Sequence, residues 1–202
     1  MASTTSPSLL LRIRNPEDQD AWDEFLEIYT PVVRTYCFQR RLQDADISDI
    51  VQDVMSRIVK LIRDFDYDPA KGKFRAWFGT ITANRIKTFV TRKSRNQKAL
   101  GQTEASAPVE TYTDPDSDWV AIFSDQVYQA ACSRVRPVLE DTTWECFEAT
   151  WLRNVPAADV AKALGIPVHS VYVNKSRVLK RLENEVRILA EDLPFHNDSQ
   201  QI

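Results

Sequence analysis

"PAADVAKALGIPVHSVYVNKSRVLKRL", residues 156–182, reads as two short helices hinged at Gly165. A small residue at such a turn lets two helices meet at a steep angle. Val160, Ala161, Leu164, Ile166, Val171 and Val178 are spaced to bury the junction. Pro167 suits the opening of the second helix, where its missing N–H costs nothing. The second helix carries a basic tail of Lys175, Arg177, Lys180 and Arg181. This is the pattern of a helix-turn-helix that enters a DNA major groove. His169, Ser170, Tyr172, Val173 and Asn174 then face base edges, and Lys175, Arg177 and Lys180 face phosphates. The plainer alternative is a helical hairpin whose basic face is merely solvated.

The charge of the whole chain complicates that reading. Its 202 residues carry a formal net charge of -3, which is unusual for a protein held on DNA by its own field. The distribution explains more than the sum. Residues 44–68 hold seven acids against three bases, and residues 85–98 hold six bases and no acid. Residues 104–125 hold six acids and no base, and residues 175–187 are again net basic. Two basic surfaces are therefore separated by acidic segments.

With 43% hydrophobic residues, 27% charged residues and four glycines, the composition is that of a helix-rich globular protein. No apolar run approaches the roughly 20 residues that span a bilayer. The start, "MASTTSPSLLLRIRN", lacks the basic and apolar regions of a secretory signal, so a cytoplasmic location without membrane insertion is expected. Cys37, Cys132 and Cys146 are far apart, each within an apolar-periodic helix, and read as reduced thiols. With two histidines, His169 and His196, no metal-ligand spacing occurs. A phosphate-cradling glycine loop and hydrolase nucleophile motifs are absent too. Neither an enzyme nor a cofactor is expected.

Every recognisable element is helical. In "PEDQDAWDEFLEIYTPVVRTYCFQRRL", residues 16–42, Trp22, Phe25, Leu26, Tyr29, Val32, Val33 and Tyr36 form one apolar face, with Pro31 expected to kink or interrupt it. In residues 44–65, Ile47, Ile50, Val51, Val54, Ile58, Leu61 and Ile62 form another, with Ser48 or Asp46 as the N-cap. "DYDPAKGKF", residues 66–74, reads as a loop, and residues 75–97 resume a helix with Trp77, Phe78, Ile81, Ile86 and Phe89 inward. After "GQTEASAPVETYTDPDSDWV", residues 101–120, whose composition is that of a linker, come two more helical stretches, the second capped by Asp141. The fold class is all-α, with an N-terminal tail over 1–17, a helical domain over 18–98, a flexible acidic linker over 99–124, a helix-turn-helix domain over 125–192 and a C-terminal tail over 193–202.

The segment from Lys73 to Gln97 interleaves seven uncompensated bases with Phe74, Trp77, Phe78 and Phe89, a pairing that suits phosphate and unstacked bases. Trp77, Phe78 and Phe89 read as core, whereas the loop aromatics Tyr67 and Phe74 are candidates for exposed contacts. Asp49, Gln52 and Asp53 form an acidic and amide patch on a helix face. Such a patch is either a solvated flank or a dock for a basic protein surface.

In combination these pieces resemble a known family. "DIVQDV", "KFRAWF" and "ITANRIKTF" look like the second conserved region of bacterial sigma-70-type sigma factors of the extracytoplasmic-function (ECF) group, and residues 156–182 look like its fourth region. The resemblance covers roughly residues 18–98 and 125–190. It implies a promoter-melting helical domain followed by a helix-turn-helix domain. Asp49, Gln52 and Asp53 would bind the clamp helices of the largest subunit of RNA polymerase core, whose flap is a further contact. Asp66, Tyr67, Lys71, Lys73 and Phe74 would belong to a loop that holds a base flipped from the -10 element. Asn84, Arg85, Lys87, Thr88 and Arg92 would lie along the adjacent strand. His169, Ser170, Tyr172, Asn174, Lys175, Arg177 and Lys180 would read the -35 element. An anti-sigma factor is a partner common to the group.

The alternative function is a helix-turn-helix regulator whose N-terminal block senses a ligand or dimerises. A basic, aromatic-bearing helix in that block argues against it. A third reading, a pure protein adaptor, meets the same objection.

Overall fold

The computed structural model describes residues 9–65, 74–99 and 117–190, and among these no strand occurs. They divide between Gln126 and Val127 into two compact units.

The first unit begins with α1 (Leu9–Arg12), which the sequence reading missed. Leu9, Leu10 and Ile13 are buried, and Arg12 reaches Asp18 at 3.1 Å and Glu24 at 3.0 Å. Asp18 also accepts from the Ala21 N–H at 2.9 Å, capping α2 (Gln19–Gln39). The hydrogen bond from Arg12, with that from Ala21, holds the Asp18 carboxyl below the ordinary aspartate range.

Of the kink or interruption expected at Pro31, the interruption does not occur, and α2 is continuous through it. An interior proline costs about 3 kcal/mol or more. Burial of the flanking Ile28, Tyr29, Val32 and Val33 offsets that, at about 1.5–3 kcal/mol for each fully buried side chain. Leu26, expected inward, is exposed.

α3 (Asp44–Leu61) starts at Gln43 as N-cap, ahead of both expected caps. Ser48 is already inside the helix, its hydroxyl donating to the Asp44 carbonyl at 3.0 Å. Asp44 and Asp46 occupy the first turn, where the helix dipole favours them. α4 (Phe74–Ala99) packs on α3.

α5 (Ser117–Val135) corrects the linker boundary, because residues 117–124 are helical. Trp119, Ile122 and Phe123 recur at helical spacing, a signal masked by the Ser- and Asp-rich run before it. Trp119 is fully buried, its Nε1 donates to the Arg75 carbonyl at 2.9 Å, and its ring meets Phe78 and Tyr36 edge-on, each at 5.1 Å.

The second unit contains the rest of α5, a 3-10 turn (Arg136–Val138), α6 (Asp141–Phe147), a π turn (Glu148–Leu152), α7 (Ala157–Leu164) and α8 (Val168–Leu189). The N-cap of α6 is Glu140 rather than Asp141, which is held instead by Arg136. α6 and α7 both pack on α8. Gly165 ends α7 at φ +66°, in the left-handed region that disfavours any Cβ. Cys146, Ala149, Val160, Ala161 and Val171 form the core of the turn, with Val155, Leu164 and Ile166 against it.

Trp119 ties α5 to the first unit, so its removal should register as lost stability. Trp119→Ala should cost about 3–5 kcal/mol in chemical denaturation of the full chain. Trp119→Phe should cost less, about 1–3 kcal/mol, since it removes a donor from the Arg75 carbonyl and leaves a smaller void. Losses below about 0.5 kcal/mol for both, the range of ordinary surface changes, would rule out this docking.

Candidate nucleic-acid interfaces

On α3 the apolar stripe of Ile47, Ile50, Val54 and Ile58 turns inward, which leaves Asp49, Gln52 and Asp53 exposed together. Asp46 is not free with them, because it pairs with Lys93 of α4. Asp53 lies 4.0 Å from Arg85, with side chains 60% and 30% exposed. A pair that open to solvent contributes little stability.

α4 buries Phe74, Phe78, Ile81, Thr82, Ala83 and Ile86, and Thr82 satisfies its hydroxyl on the Phe78 carbonyl at 3.0 Å. Its outer face presents Asn84, Lys87, Thr88, Arg92 and Arg95. Helical spacing aligns Asn84, Thr88, Arg92 and Arg95 along one ridge. The Arg92 guanidinium lies 5.7 Å from the Phe89 ring. Arg57, Leu61, Ile81, Asn84, Arg85 and Thr88 line a groove of about 250 Å³ between α3 and α4.

Phe74 is a correction. It is 0% exposed, ringed by Phe25, Tyr29, Phe65, Trp77, Phe78 and Phe123, so its face cannot stack on a base. Its place as the first residue of α4 makes it core rather than loop. Asp66, Tyr67, Lys71 and Lys73 lie outside the described residues. Trp77 and Phe89, read as core, are only half-buried. Trp77 sits 4.4 Å from Phe65, an aromatic pair that the sequence reading did not single out for contact.

In the second unit, α8 points His169, Tyr172, Val173, Ser176, Arg177 and Lys180 into solvent, with Tyr172 56% exposed. Ser176 is an addition to the residues expected from the sequence. Asn174 is a correction, because it is half-buried and its Nδ2 points to Cys146 Sγ at 3.7 Å. Lys175 is half-buried, with its ammonium 5.6 Å from the Trp151 ring. Ser170 is half-buried too. The signal was present: Asn174 and Lys175 stand three and four residues after Val171 and before Val178, on the inward stripe. A second groove, of about 680 Å³, runs along Arg134, Val138, Arg177, Lys180, Arg181 and Glu185, with Arg134 paired to Glu185 at 3.0 Å.

The first unit thus joins an exposed acidic helix face to an exposed basic one. A family model described as "Sigma-70 region 2" matches residues 25–96, which contain both faces. Those residues are thus similar to region 2 of sigma-70-type factors. The chain is also similar to the ECF RNA polymerase sigma factor RpoE of Cereibacter sphaeroides, with 22% identity over 178 residues, or 87% of this chain and 90% of that protein. At 87% of this chain, that likeness extends well beyond residues 25–96.

The packing of Asn174 sets it apart from its neighbours on α8. Asn174→Ala should lower unfolding stability by about 1 kcal/mol, whereas Tyr172→Ala should stay within about 0.5 kcal/mol. Denaturant titration of the two variants measures the difference, and equal losses would return Asn174 to the exposed face.

Proposed function

We propose that this chain is a sigma factor of the ECF group, which brings core RNA polymerase to specific promoters by dividing the work between its two units. Helices α2–α4 recognise and melt the -10 element, and the helix-turn-helix reads the -35 element. The observation that carries this reading is the pairing, within the region 2 match, of an exposed acidic face on α3 with an exposed basic face on α4. One protein partner and one nucleic-acid partner account for both signs.

Asp49, Gln52 and Asp53 dock on the basic clamp helices of the largest polymerase subunit, and the second unit meets the flap. Asn84, Arg85, Lys87, Thr88 and Arg92 follow the separated strand, where cations meet phosphate. Asp66, Tyr67, Lys71 and Lys73 contribute to holding a flipped base. On α8, His169, Tyr172, Val173 and Ser176 face base edges, with Ser170 at their margin, while Arg177 and Lys180 hold phosphates and fix the register. Lys175, its ammonium 5.6 Å from the Trp151 ring, reaches for a phosphate beside them. The factor acts without catalysis of its own, in the cytoplasm, and an anti-sigma protein is a further partner. Among the described residues no helix is long and apolar enough to cross a membrane.

The experiment is reconstitution with core polymerase. The chain should co-elute with core and support initiation at promoters located by sequencing transcripts after overexpression. Asp49→Lys with Asp53→Lys should abolish co-elution. Arg177→Ala should weaken holoenzyme binding to all -35 sequences alike and reduce the salt slope by about 1, as loss of a phosphate contact does. Tight binding to duplex DNA alone, with no association with core, would instead identify a conventional helix-turn-helix regulator.

A further inference from the structure

α3 is acidic along Asp49 and Asp53, yet one turn further on it carries Arg57. Arg57 is exposed, and among the described residues it has no ion-pair partner. It lines the α3–α4 groove with Leu61 of the same helix and with Ile81, Asn84, Arg85 and Thr88 of α4. Among the described residues no acid lines this groove. Arg85 enters it with one distant approach to Asp53, at 4.0 Å, and with its Nε buried and unpartnered. A buried guanidinium N–H without an acceptor marks a place where an acceptor is missing.

The groove therefore offers two guanidinium groups, a carboxamide and a hydroxyl, beside an apolar wall of Leu61 and Ile81. Planar guanidinium forks match the oxygens of a phosphate, and a pair of them on facing helices matches one phosphodiester held from two sides. At about 250 Å³ the groove is smaller than the usual small-molecule pocket, which suits a phosphate and its sugar.

We propose that the α3–α4 groove binds one backbone phosphate of the separated promoter strand, and that Arg57 holds it together with Arg85. The inference rests on reading α4 as the strand-binding helix. It extends the DNA surface onto α3, whose exposed Asp49, Gln52 and Asp53 are assigned to polymerase. Asp53, exposed and at the limit of pairing distance, holds Arg85 too loosely to exclude the phosphate.

The test uses holoenzyme assembled from the full chain and core polymerase. It is titrated at several salt concentrations with a short fluorescein-labelled single strand bearing the non-template -10 sequence of a mapped promoter. Arg57→Ala should still co-elute with core, bind the strand roughly tenfold more weakly, and lower the salt slope by about 0.7, the single-strand value for one phosphate. Arg57→Lys should restore the slope. Arg63→Ala, which removes an exposed charge just beyond α3 and outside the groove, should leave it unchanged. An Arg57→Ala slope equal to that of the unaltered protein overturns the proposal. So does loss of co-elution in Arg57→Ala, which would assign Arg57 to the polymerase surface. Failure of the unaltered chain to join core would overturn the proposed function itself, and is seen in the co-elution step before any strand is added.

Discussion

Everything in the first unit hangs on one aromatic cluster. Phe25 and Tyr29 from α2, Phe74 and Phe78 from α4, and Trp119 and Phe123 from α5 are all fully buried against one another. Phe74 and Phe78 stack with centroids 5.7 Å apart, and Phe25 and Tyr29 approach to 4.5 Å. Such pairs contribute about 0.5–1.5 kcal/mol each beyond the area they bury. The cluster sets the rotation of α4 about its own axis. With Phe74, Phe78, Ile81 and Ile86 committed inward, Asn84, Thr88, Arg92 and Arg95 have only the outside left.

The same constraint explains how an acidic chain can present a basic surface. The net charge of -3 belongs to the whole chain and averages over segments of opposite sign, with acids on α3 and bases on α4, two helices that touch. Where α3 and α4 meet, some opposite charges neutralise each other, as Asp46 and Lys93 do. The remainder are sorted by rotation into an acidic face on one helix and a basic face on the other. Neither face is a consequence of composition. Both follow from which residues the aromatic core has already claimed.

The order and helical character of α2, α3, α4, α7 and α8 were legible, because each carries apolar residues at three- and four-residue spacing. So was the turn at Gly165, where backbone geometry needs glycine. The boundaries were less so. α5 starts inside a Ser- and Asp-rich run, and only its packing partners, distant in sequence, reveal that Trp119 and Phe123 belong to a core. That Pro31 does not interrupt α2 was not legible, because local propensity counts the lost hydrogen bond and not the burial on either side. Among the site residues, Asp49, Gln52, Asp53, Lys87, Thr88 and Arg92 are exposed as expected. Phe74 and Asn174 failed for one reason: a residue type suited to binding was preferred over its position on the inward stripe. Arg57 was passed over because it lies on a helix whose character is acidic.

Under the proposed function α8 is the reader of the duplex, and its exposed face limits what it can contribute. His169, Tyr172, Val173 and Ser176 are mostly neutral, and the cations stand further along at Arg177 and Lys180. Lys175 turns toward Trp151, and Arg181 lines a groove that contains Glu185. Few charges remain to grip a duplex, and counterion release per phosphate is the main source of affinity for any DNA. A face so arranged can choose among sequences more readily than it can hold one. Under the proposed function, affinity comes from the polymerase to which α3 docks. Selectivity alone is then required of α8, and the acidic body no longer conflicts with the helix-turn-helix at residues 156–182.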